Sequence, residues 1–572
     1  MVFTAPRDGP AGGLPAPRRI AWLLRVNRLL GGNRMWATKA YAFAAAFRGG
    51  SWPDEADPSR ISRWETGSVR VPYLAVRRYE ELLGLPPRYL TGAVDTVNRY
   101  SAPGTGRDPG GGRLLLARPP RAAAAAGSRV DLVLDAATSG AVVTGADWDD
   151  LTVFLATEPG MRLRARDWSA VAHRLLTETV VSDGPAWQQR FEAFNRLLAH
   201  PAGGPAAVAA VAAWAADPTN HAYVETVCLL DGSTHPDAAR HLLAQLAAPT
   251  NEDAHYGALL GCVRKLRHGH LGPEQIRAVA GHAAGLSREP GSRYHDTRTL
   301  ARSVFALAGS RAPAALSPAL REELRRLPAS AGPGVPVRRD GERGAVRQDS
   351  RVARIVASAV SSAPWGNDRL QDTILPLLVD EALHDPVYDV RLHALLLLRV
   401  TPYRTPLAAA VSREIARLGF GRDAGTVIRL FHALGKLGGP AERRQAERVV
   451  LRGGAPAGVA DAAARALAHM GGRSGDEFWE PALALHTAAV RAGSELSARL
   501  VRDLVYALGI GGEQHHLRAL AQDRRLPEAL RCRAAWWVRL PAHLHRSATA
   551  SDAGTAGAPP RRPAPHHPEN PT

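Results

Sequence analysis

The chain has 572 residues, a formal net charge of +18 and 45% hydrophobic residues. That length exceeds what one hydrophobic core ordinarily supports, so we expect two or more domains. Its three cysteines, Cys228, Cys262 and Cys532, lack any paired spacing, which argues against structural zinc and a disulfide framework. Without a signal-like segment or a long apolar run, the protein is expected to be cytoplasmic, with no membrane contact.

The basic charge is not spread evenly along the chain. Lys39, Lys265 and Lys436 are the only lysines, so arginine supplies nearly all of the 72 basic residues. Such a bias, with abundant Ala, Gly and Pro, is typical of a GC-rich bacterial genome. Residues 17–92, however, hold twelve Arg and one Lys against six acids, a net +7. This local excess favours a nucleic-acid-binding segment there.

A bundle of four or five short helices is predicted within residues 17–92, after a disordered start at residues 1–16. Residues 18–30 have an apolar stripe of helical period, and residues 36–47 predict a second, alanine-rich helix. A further helix should begin at Pro72 and end at a glycine, residue 84.

Residues 58–66 predict a short helix between these elements. Asp57 or Ser59 can cap its start, Pro58 suits the first helical position, and Gly67 can end it in a left-handed conformation.

The same short helix should have one buried and one basic, polar face. Ile61 and Trp64 lie three residues apart and point inward. The residues expected to face outward are Ser59, Arg60, Ser62 and Arg63. A small helix with that surface can enter a groove of duplex DNA and contact phosphates and base edges.

The residues of this region resemble the XRE-type helix-turn-helix family of DNA-binding regulators. The resemblance covers roughly residues 17–92 and includes the run ISRWETG, a following proline and a helix end LLG. The matching positions are Ile61, Ser62, Trp64, Glu65, Gly67, Pro72, Leu82, Leu83 and Gly84. It implies a helix-turn-helix bundle that binds double-stranded DNA, with Glu65 bracing the domain internally.

The resemblance also implies individual DNA contacts. Ser59 and Arg63 would reach base edges, with Arg63 suited to a bidentate contact with guanine, and Arg60 and Ser62 would lie nearer the backbone. Three further candidate contacts are Thr38 and Lys39, where the family often has a glutamine, and Arg70. One departure is the connection at residues 48–57, which is longer than the family's tight turn and partly acidic.

The rest of the chain is expected to be helical and to fall into further segments. The predicted segments are a flexible linker at 93–128, a first helical array at 129–327, a flexible break at 328–348, a second array at 349–545 and a disordered tail at 546–572. Within the first array, Asp147 and Asp167 are each predicted to cap a helix.

Residues 375–394 resemble a HEAT-type repeat through Asp385, Val390, Arg391 and Ala394. The sequence thus predicts an all-α chain with a helix-turn-helix bundle followed by an α-solenoid of helix pairs. A globular all-α domain of unrelated helices is the alternative.

No catalytic or cofactor-binding motif is recognisable, so we expect no enzyme activity and no cofactor or metal. The leading hypothesis is a transcriptional regulator, nucleoid-associated when bound to DNA. It would act as a homodimer, and the flexible linker would let the two bundles adjust to the spacing of the half-sites. A protein or peptide ligand would bind the helical array. A protein-interaction scaffold, in which the helix-turn-helix contacts proteins, is the alternative, and an enzyme hidden in the helical region is the third.

Overall fold

The computed structural model describes residues 14–32, 34–52, 54–101, 122–288, 297–326, 350–364, 372–385, 387–420, 423–452 and 454–550. Within these ranges the fold is all-α, as predicted, and the only β-type pairing is an isolated bridge between Gly49 and Trp52. The predicted break at 328–348 and most of both predicted disordered ends lie outside the described residues.

The amino-terminal bundle contains helices α1 to α6. Their bounds are α1 Ala16–Leu30, α2 Arg34–Thr38, α3 Ala40–Ala45, α4 Pro58–Thr66, α5 Tyr73–Leu83 and α6 Tyr89–Ser101.

The first part of the array follows, with two short 3-10 turns at Leu229–Gly232 and Pro313–Ala315. Its helices are α7 Ala122–Ser139, α8 Gly145–Thr157, α9 Ala165–Val181, α10 Gly184–Ala199, α11 Gly204–Ala216, α12 Tyr223–Cys228, α13 Pro236–Ala247, α14 Glu252–His268, α15 Pro273–Arg288, α16 Thr297–Arg311 and α17 Pro318–Arg326.

The second part of the array is also helical throughout its described residues. Its helices are α18 Ser350–Ser361, α19 Leu375–His384, α20 Tyr388–Arg399, α21 Arg404–Leu418, α22 Ala424–Leu437, α23 Pro440–Arg452, α24 Ala457–Leu467, α25 Asp476–Arg491, α26 Glu495–Gly511, α27 Gln514–Gln522, α28 Glu528–Arg539 and α29 Ala542–Ala550.

Local sequence signals located most of the bundle correctly, with one error. The helices predicted at residues 58–66 and after Pro72 are present as α4 and α5. The single helix predicted over residues 36–47 is wrong, because it is two helices separated at Lys39, whose φ of −126° and ψ of 84° are not helical. The break accompanies the packing of the Phe43 ring against Tyr79, with ring centroids 5.0 Å apart.

Three predicted boundaries also need correction. Helix α6 continues to Ser101 and α7 begins at Ala122, so residues 93–101 and 122–128 of the predicted linker are helical, and the rest of it lies outside the described residues. Residues 546–550 belong to α29 rather than to the tail. Neither Asp147 nor Asp167 is an N-cap, since Thr144 caps α8 with Asp147 completing a capping box, and Arg164 precedes α9.

The bundle is not a separate body. Its buried apolar residues belong to one continuous core with α18 to α29. Helix α1 is buried on most of its surface, and the Trp22 ring stacks on Tyr403 of the second array with centroids 6.5 Å apart. The Trp22 indole N–H also donates to the carboxylate of Asp372. Helix α1 therefore packs against the second array as well as against the other helices of the bundle.

The end of the chain returns to the first part of the array. The Trp537 indole N–H donates to His221 at 3.0 Å, and Trp537 packs so closely on α26 that a Cβ at Gly509 would lie 2.1 Å from the ring. The buried Arg190 guanidinium donates to the backbone carbonyl of Ser547 at 2.8 Å. Many helices contact a helix one or two places along the chain, as α15 contacts α16 and α22 contacts α24, but distant pairs such as α9 with α29 and α6 with α20 are also in contact. The solenoid arrangement stays a prediction.

Among the described helices, none has by itself the length and apolar character needed to cross a membrane. The bent pair α10 and α11, which meet at 119°, passes that test only when the two are taken together.

Candidate nucleic-acid interface

Residues at its own two ends determine where helix α4 begins and stops. The Asp57 side chain accepts the backbone N–H of Arg60 at 2.8 Å and the Ser59 hydroxyl at 2.5 Å. The Ser59 hydroxyl and the Arg60 N–H lower the pKa of Asp57, so this cap is a carboxylate at neutral pH. At the other end Gly67 has a φ of 75°, and the space above it is closed by α1, where the Pro17 carbonyl oxygen would lie 3.1 Å from an added Cβ.

The inner face of α4 is fixed by a buried ion pair. Ile61 and Trp64 are each 1% exposed. The Glu65 carboxylate accepts two hydrogen bonds of 2.6 Å from the guanidinium of Arg28 on α1, and a third of 3.0 Å from the Tyr79 hydroxyl on α5. Glu65 thus joins three helices of the bundle, which is the bracing role that the family resemblance implies.

The outer face of α4 carries exposed side chains. Ser59, Ser62 and Arg63 are all exposed, and positions 59, 62 and 63 fall on one side of a helix. The Arg63 Nε donates only weakly to the Ser59 carbonyl, at 3.4 Å. Among the described residues Arg63 forms no salt bridge, so its guanidinium is directed to solvent.

The prediction that Arg60 faces outward with its neighbours needs correction, because its side chain folds over the core. It is half-buried, with its guanidinium carbon 5.2 Å from the Trp52 ring centroid and 5.5 Å from that of Trp64. This stacking over two indoles is a cation–π contact. Arg60 therefore covers the aromatic core while it presents its charge at the edge of the α4 surface.

The remaining predicted contacts lie outside α4. Thr38 is the last residue of α2, Lys39 is exposed at the junction of α2 and α3, and Arg70 is exposed in the connection between α4 and α5. The structure thus places these three at two sites outside α4, while Ser59, Ser62 and Arg63 share one surface of that helix.

The long connection before α4 has a structural role that the sequence pattern did not reveal. Trp52 and Ala56 are each 6% exposed, and the Trp52 ring meets Trp64 edge to face at 5.5 Å between centroids. The acidic Glu55 is bound by Arg48 at 2.9 Å at the surface. The connection thus adds the Trp52 ring to the core beneath α4. A tryptophan within a predicted loop is the sequence signal that could have indicated this role.

Two exposed apolar side chains near the interface were also missed. Tyr41 on α3 is 63% exposed, and Val69, directly after α4, is 44% exposed. An exposed apolar group beside a basic helix can contact a thymine methyl group. The alanine-rich context of Tyr41 gives no periodicity from which its exposure could be predicted.

A buried carboxylate of the array anchors the bundle that carries α4. Asp149 on α8 accepts the Tyr73 hydroxyl at 2.8 Å and pairs with Arg88 at 3.0 Å, both from the bundle. Its other oxygen pairs with Arg196 of α10 at 2.8 Å. Burial raises the pKa of Asp149, but Arg196 and Arg88 outweigh it and hold that pKa below its ordinary value.

A second anchor lies on the next helix of the bundle. The Arg99 guanidinium of α6 donates to the Glu192 carboxylate of α10 at 2.9 and 3.1 Å, and Thr96 donates to the same carboxylate at 2.9 Å. Since Asp149 and Glu192 belong to different helices of the array, the orientation of the bundle is set by more than one contact.

Comparison with known proteins adds no assignment. No protein-family model matches the chain, and no curated protein is similar to it at a significant level. In the described part of the chain, no cluster of three or more His, Cys, Asp or Glu side chains is placed to hold a metal ion.

Proposed function

We propose that the protein is a DNA-binding transcriptional regulator that reads the major groove with helix α4. The observation that carries this proposal is the contrast between the two faces of α4. Its inner face is locked by the buried pair of Arg28 and Glu65, while its outer face presents Ser59, Ser62 and Arg63 to solvent. A rigid helix with exposed donors loses little conformational entropy when it enters a groove.

Arg63 is the residue proposed to provide most of the sequence selectivity. Its planar guanidinium can donate to O6 and N7 of guanine simultaneously. Ser59 lies one turn earlier on the same face. Its hydroxyl donates to Asp57, so its oxygen can accept a hydrogen bond from an amino group of a neighbouring base. Arg70 and Lys39 would contribute charge to phosphate contacts, which position the protein without reading sequence.

The anchoring of the bundle constrains how a dimer would bind. With Tyr73 and Arg88 bonded to Asp149 of the array, the bundle cannot move freely at the end of a linker. We infer that in a homodimer the distance between two α4 helices is set by the contact between arrays. Half-site spacing would then be narrowly defined, rather than adjustable as a flexible linker would allow.

A fluorescence-anisotropy titration of the full chain with genomic fragments at several salt concentrations tests the proposal. We expect selective binding that weakens steeply with salt, because phosphate contacts release counterions. Arg63→Ala should weaken a cognate site by about 1–3 kcal/mol, roughly 5- to 150-fold. Arg448→Ala is a matched control, since Arg448 is also an exposed helical arginine whose Nε donates to the carbonyl four residues earlier, at 3.3 Å.

Two outcomes would contradict the proposal, the first as a whole and the second in part. One is a folded chain that binds none of the fragments at low salt. The other, which removes the role of Arg63 specifically, is equal binding by Arg63→Ala and Arg448→Ala.

The acidic residues before α4 support a second candidate, a scaffold whose bundle binds a protein. Asp54, Glu55 and Asp57 are exposed just ahead of the helix, where carboxylates would repel phosphates. In that case DNA binding would be absent, and affinity capture with the full chain would retain a partner that is lost on Arg63→Ala.

A further inference from the structure

The Ser59 hydroxyl has a fixed direction of hydrogen bonding. Its oxygen lies 2.5 Å from the Asp57 carboxylate oxygen that also accepts the Arg60 backbone N–H at 2.8 Å. The hydrogen bond from Ser59, followed by that from the Arg60 N–H, lowers the pKa of Asp57, so this side chain is ionised at neutral pH and has no proton to donate. Ser59 is therefore the donor. Because a hydroxyl has only one proton, the Ser59 oxygen offers only lone pairs to a ligand.

An oxygen that can only accept discriminates among the atoms that DNA presents. Phosphate oxygens are acceptors, so they cannot bond to it directly. In the major groove guanine and thymine also present acceptors, whereas adenine and cytosine present the amino groups N6 and N4. An acceptor that faces another acceptor loses its hydration without gaining a hydrogen bond. Ser59 is therefore suited to adenine or cytosine and unsuited to guanine, thymine and the backbone.

Arg63 has the opposite character on the same face of the helix. A guanidinium only donates, and it matches the O6 and N7 acceptors of guanine. Arg63 lies four positions after Ser59, which separates the two residues by about 6 Å along the helix axis. The Arg63 Nε also donates weakly to the Ser59 backbone carbonyl at 3.4 Å. Helix α4 thus presents an acceptor and a donor in a fixed order.

Ser62 provides a comparison within the same helix. Its side chain is also exposed, but in the described part of the chain its hydroxyl makes no hydrogen bond. This hydroxyl can rotate and either donate or accept, so it favours no particular base. The difference between the two serines comes from Asp57, which precedes the helix.

We propose that Asp57 is a positioning residue, which makes Ser59 select an adenine or cytosine near the guanine read by Arg63. This role of Asp57 rests on the proposed function, since it concerns the bases that α4 reads. It adds a base preference at the Ser59 position and gives the N-cap residue of α4 a part in specificity. Adenine and cytosine are recognised by the same chemistry, because each presents one amino group in the major groove.

The test begins with selection of binding sites by the full chain from a random duplex library. Affinities are then measured for every single-base variant of the tightest site. Ser59→Ala identifies the position that Ser59 reads, because the preference at that position alone should disappear. We expect the unmodified protein to prefer adenine or cytosine there over guanine and thymine by roughly 2- to 10-fold, the net value of one hydrogen bond.

Base analogues show which amino group is read. The deoxy form of nebularine lacks the amino group of adenine, and that of zebularine lacks the amino group of cytosine. Whichever base is selected at the Ser59 position, its analogue should bind roughly 2- to 10-fold more weakly.

Asp57→Gly separates the positioning role from stability. Glycine is accepted at an N-cap and has no side-chain acceptor, so the Ser59 hydroxyl becomes free to rotate. The preference at the Ser59 position should then fall below about twofold. A change in stability or in overall charge alters the affinity for all variants of a site together, whereas this preference is a ratio between them. Asp54→Gly is the matched control, because it removes an exposed charge nearby and leaves the Asp57 cap intact, so it should keep the preference.

Three outcomes would overturn the role of Asp57. They are a preference for guanine or thymine at the Ser59 position, no position whose preference depends on Ser59, and an unchanged preference in Asp57→Gly. A chain that binds no DNA would remove this proposal together with the regulator proposal. A site whose guanine depends on Arg63, combined with any of the three outcomes, would remove this proposal alone, so the two failures are distinguishable.

Discussion

Replacing Glu65 by Gln removes the charge from the group that holds the inner face of α4. The side chain keeps its shape, so packing is little altered and the change is mainly electrostatic. Both Glu65 and its partner Arg28 are 7% exposed. In the variant, Arg28 would remain a buried cation whose other hydrogen bond is to the Trp36 carbonyl oxygen at 2.8 Å.

The expected magnitude follows from that geometry. Two charge-assisted hydrogen bonds of 2.6 Å are lost or weakened, and breaking a buried pair on one side costs about 3–5 kcal/mol. The amides of α4 should then exchange with solvent roughly 10²–10⁴-fold faster, because α4 opens more often. Hydrogen–deuterium exchange followed by mass spectrometry over residues 58–66 measures this directly.

Two further variants separate the ion pair from general damage. Arg28→Met combined with Glu65→Leu should recover much of the loss, since an apolar pair of similar volume leaves no buried charge. Glu55→Gln is the matched control, because Glu55 also pairs with an arginine, but at the surface with its side chain 80% exposed. If Glu65→Gln accelerated exchange in α4 no more than Glu55→Gln does, the bracing argument would be refuted.

Two other carboxylates of the bundle and its junction lead to further predictions. Asp149→Asn should lower the free energy of unfolding by about 3 kcal/mol, since it leaves Arg88 and Arg196 each with one carboxylate fewer in a buried site. Thermal unfolding measures this change, and a decrease of less than about 1 kcal/mol would count against this anchor. Burial raises the pKa of Glu80 to about 7, above the roughly 4.3 of an unfolded glutamate. The folded state therefore retains a proton that the unfolded chain releases, so this group stabilises fully below about pH 4 and its contribution is lost as pH rises through 7. Glu80→Gln should flatten the pH dependence of Tm between pH 5 and pH 8, and an unchanged slope would argue against the raised pKa.

The sequence predicted most accurately those helices whose first and last residues carry their own start and stop signals. Helix α4 begins after Asp57 and ends at Gly67 because a capping side chain and a left-handed glycine act within a few residues. Such signals do not depend on the rest of the fold. The buried face of α4 was predictable for the same reason, since Ile61 and Trp64 follow the helical period.

Sequence was less informative where packing between helices overrides local preference. The run from 36 to 47 has no internal glycine or proline, yet it breaks at Lys39. The sequence predicts a loop around Trp52, and only the contact of its ring with Trp64 makes it part of the core.

The sequence alone determined that the chain is helical, where α4 lies, and that Ile61 and Trp64 are buried, because helical period and capping are properties of neighbouring residues. Only the tertiary structure decided that the bundle is joined to the array. Asp149 meets Tyr73 and Arg88, and Glu192 meets Arg99, across separations of sixty to more than ninety residues. No local pattern encodes such contacts, since they arise only when distant helices pack and exclude water between them.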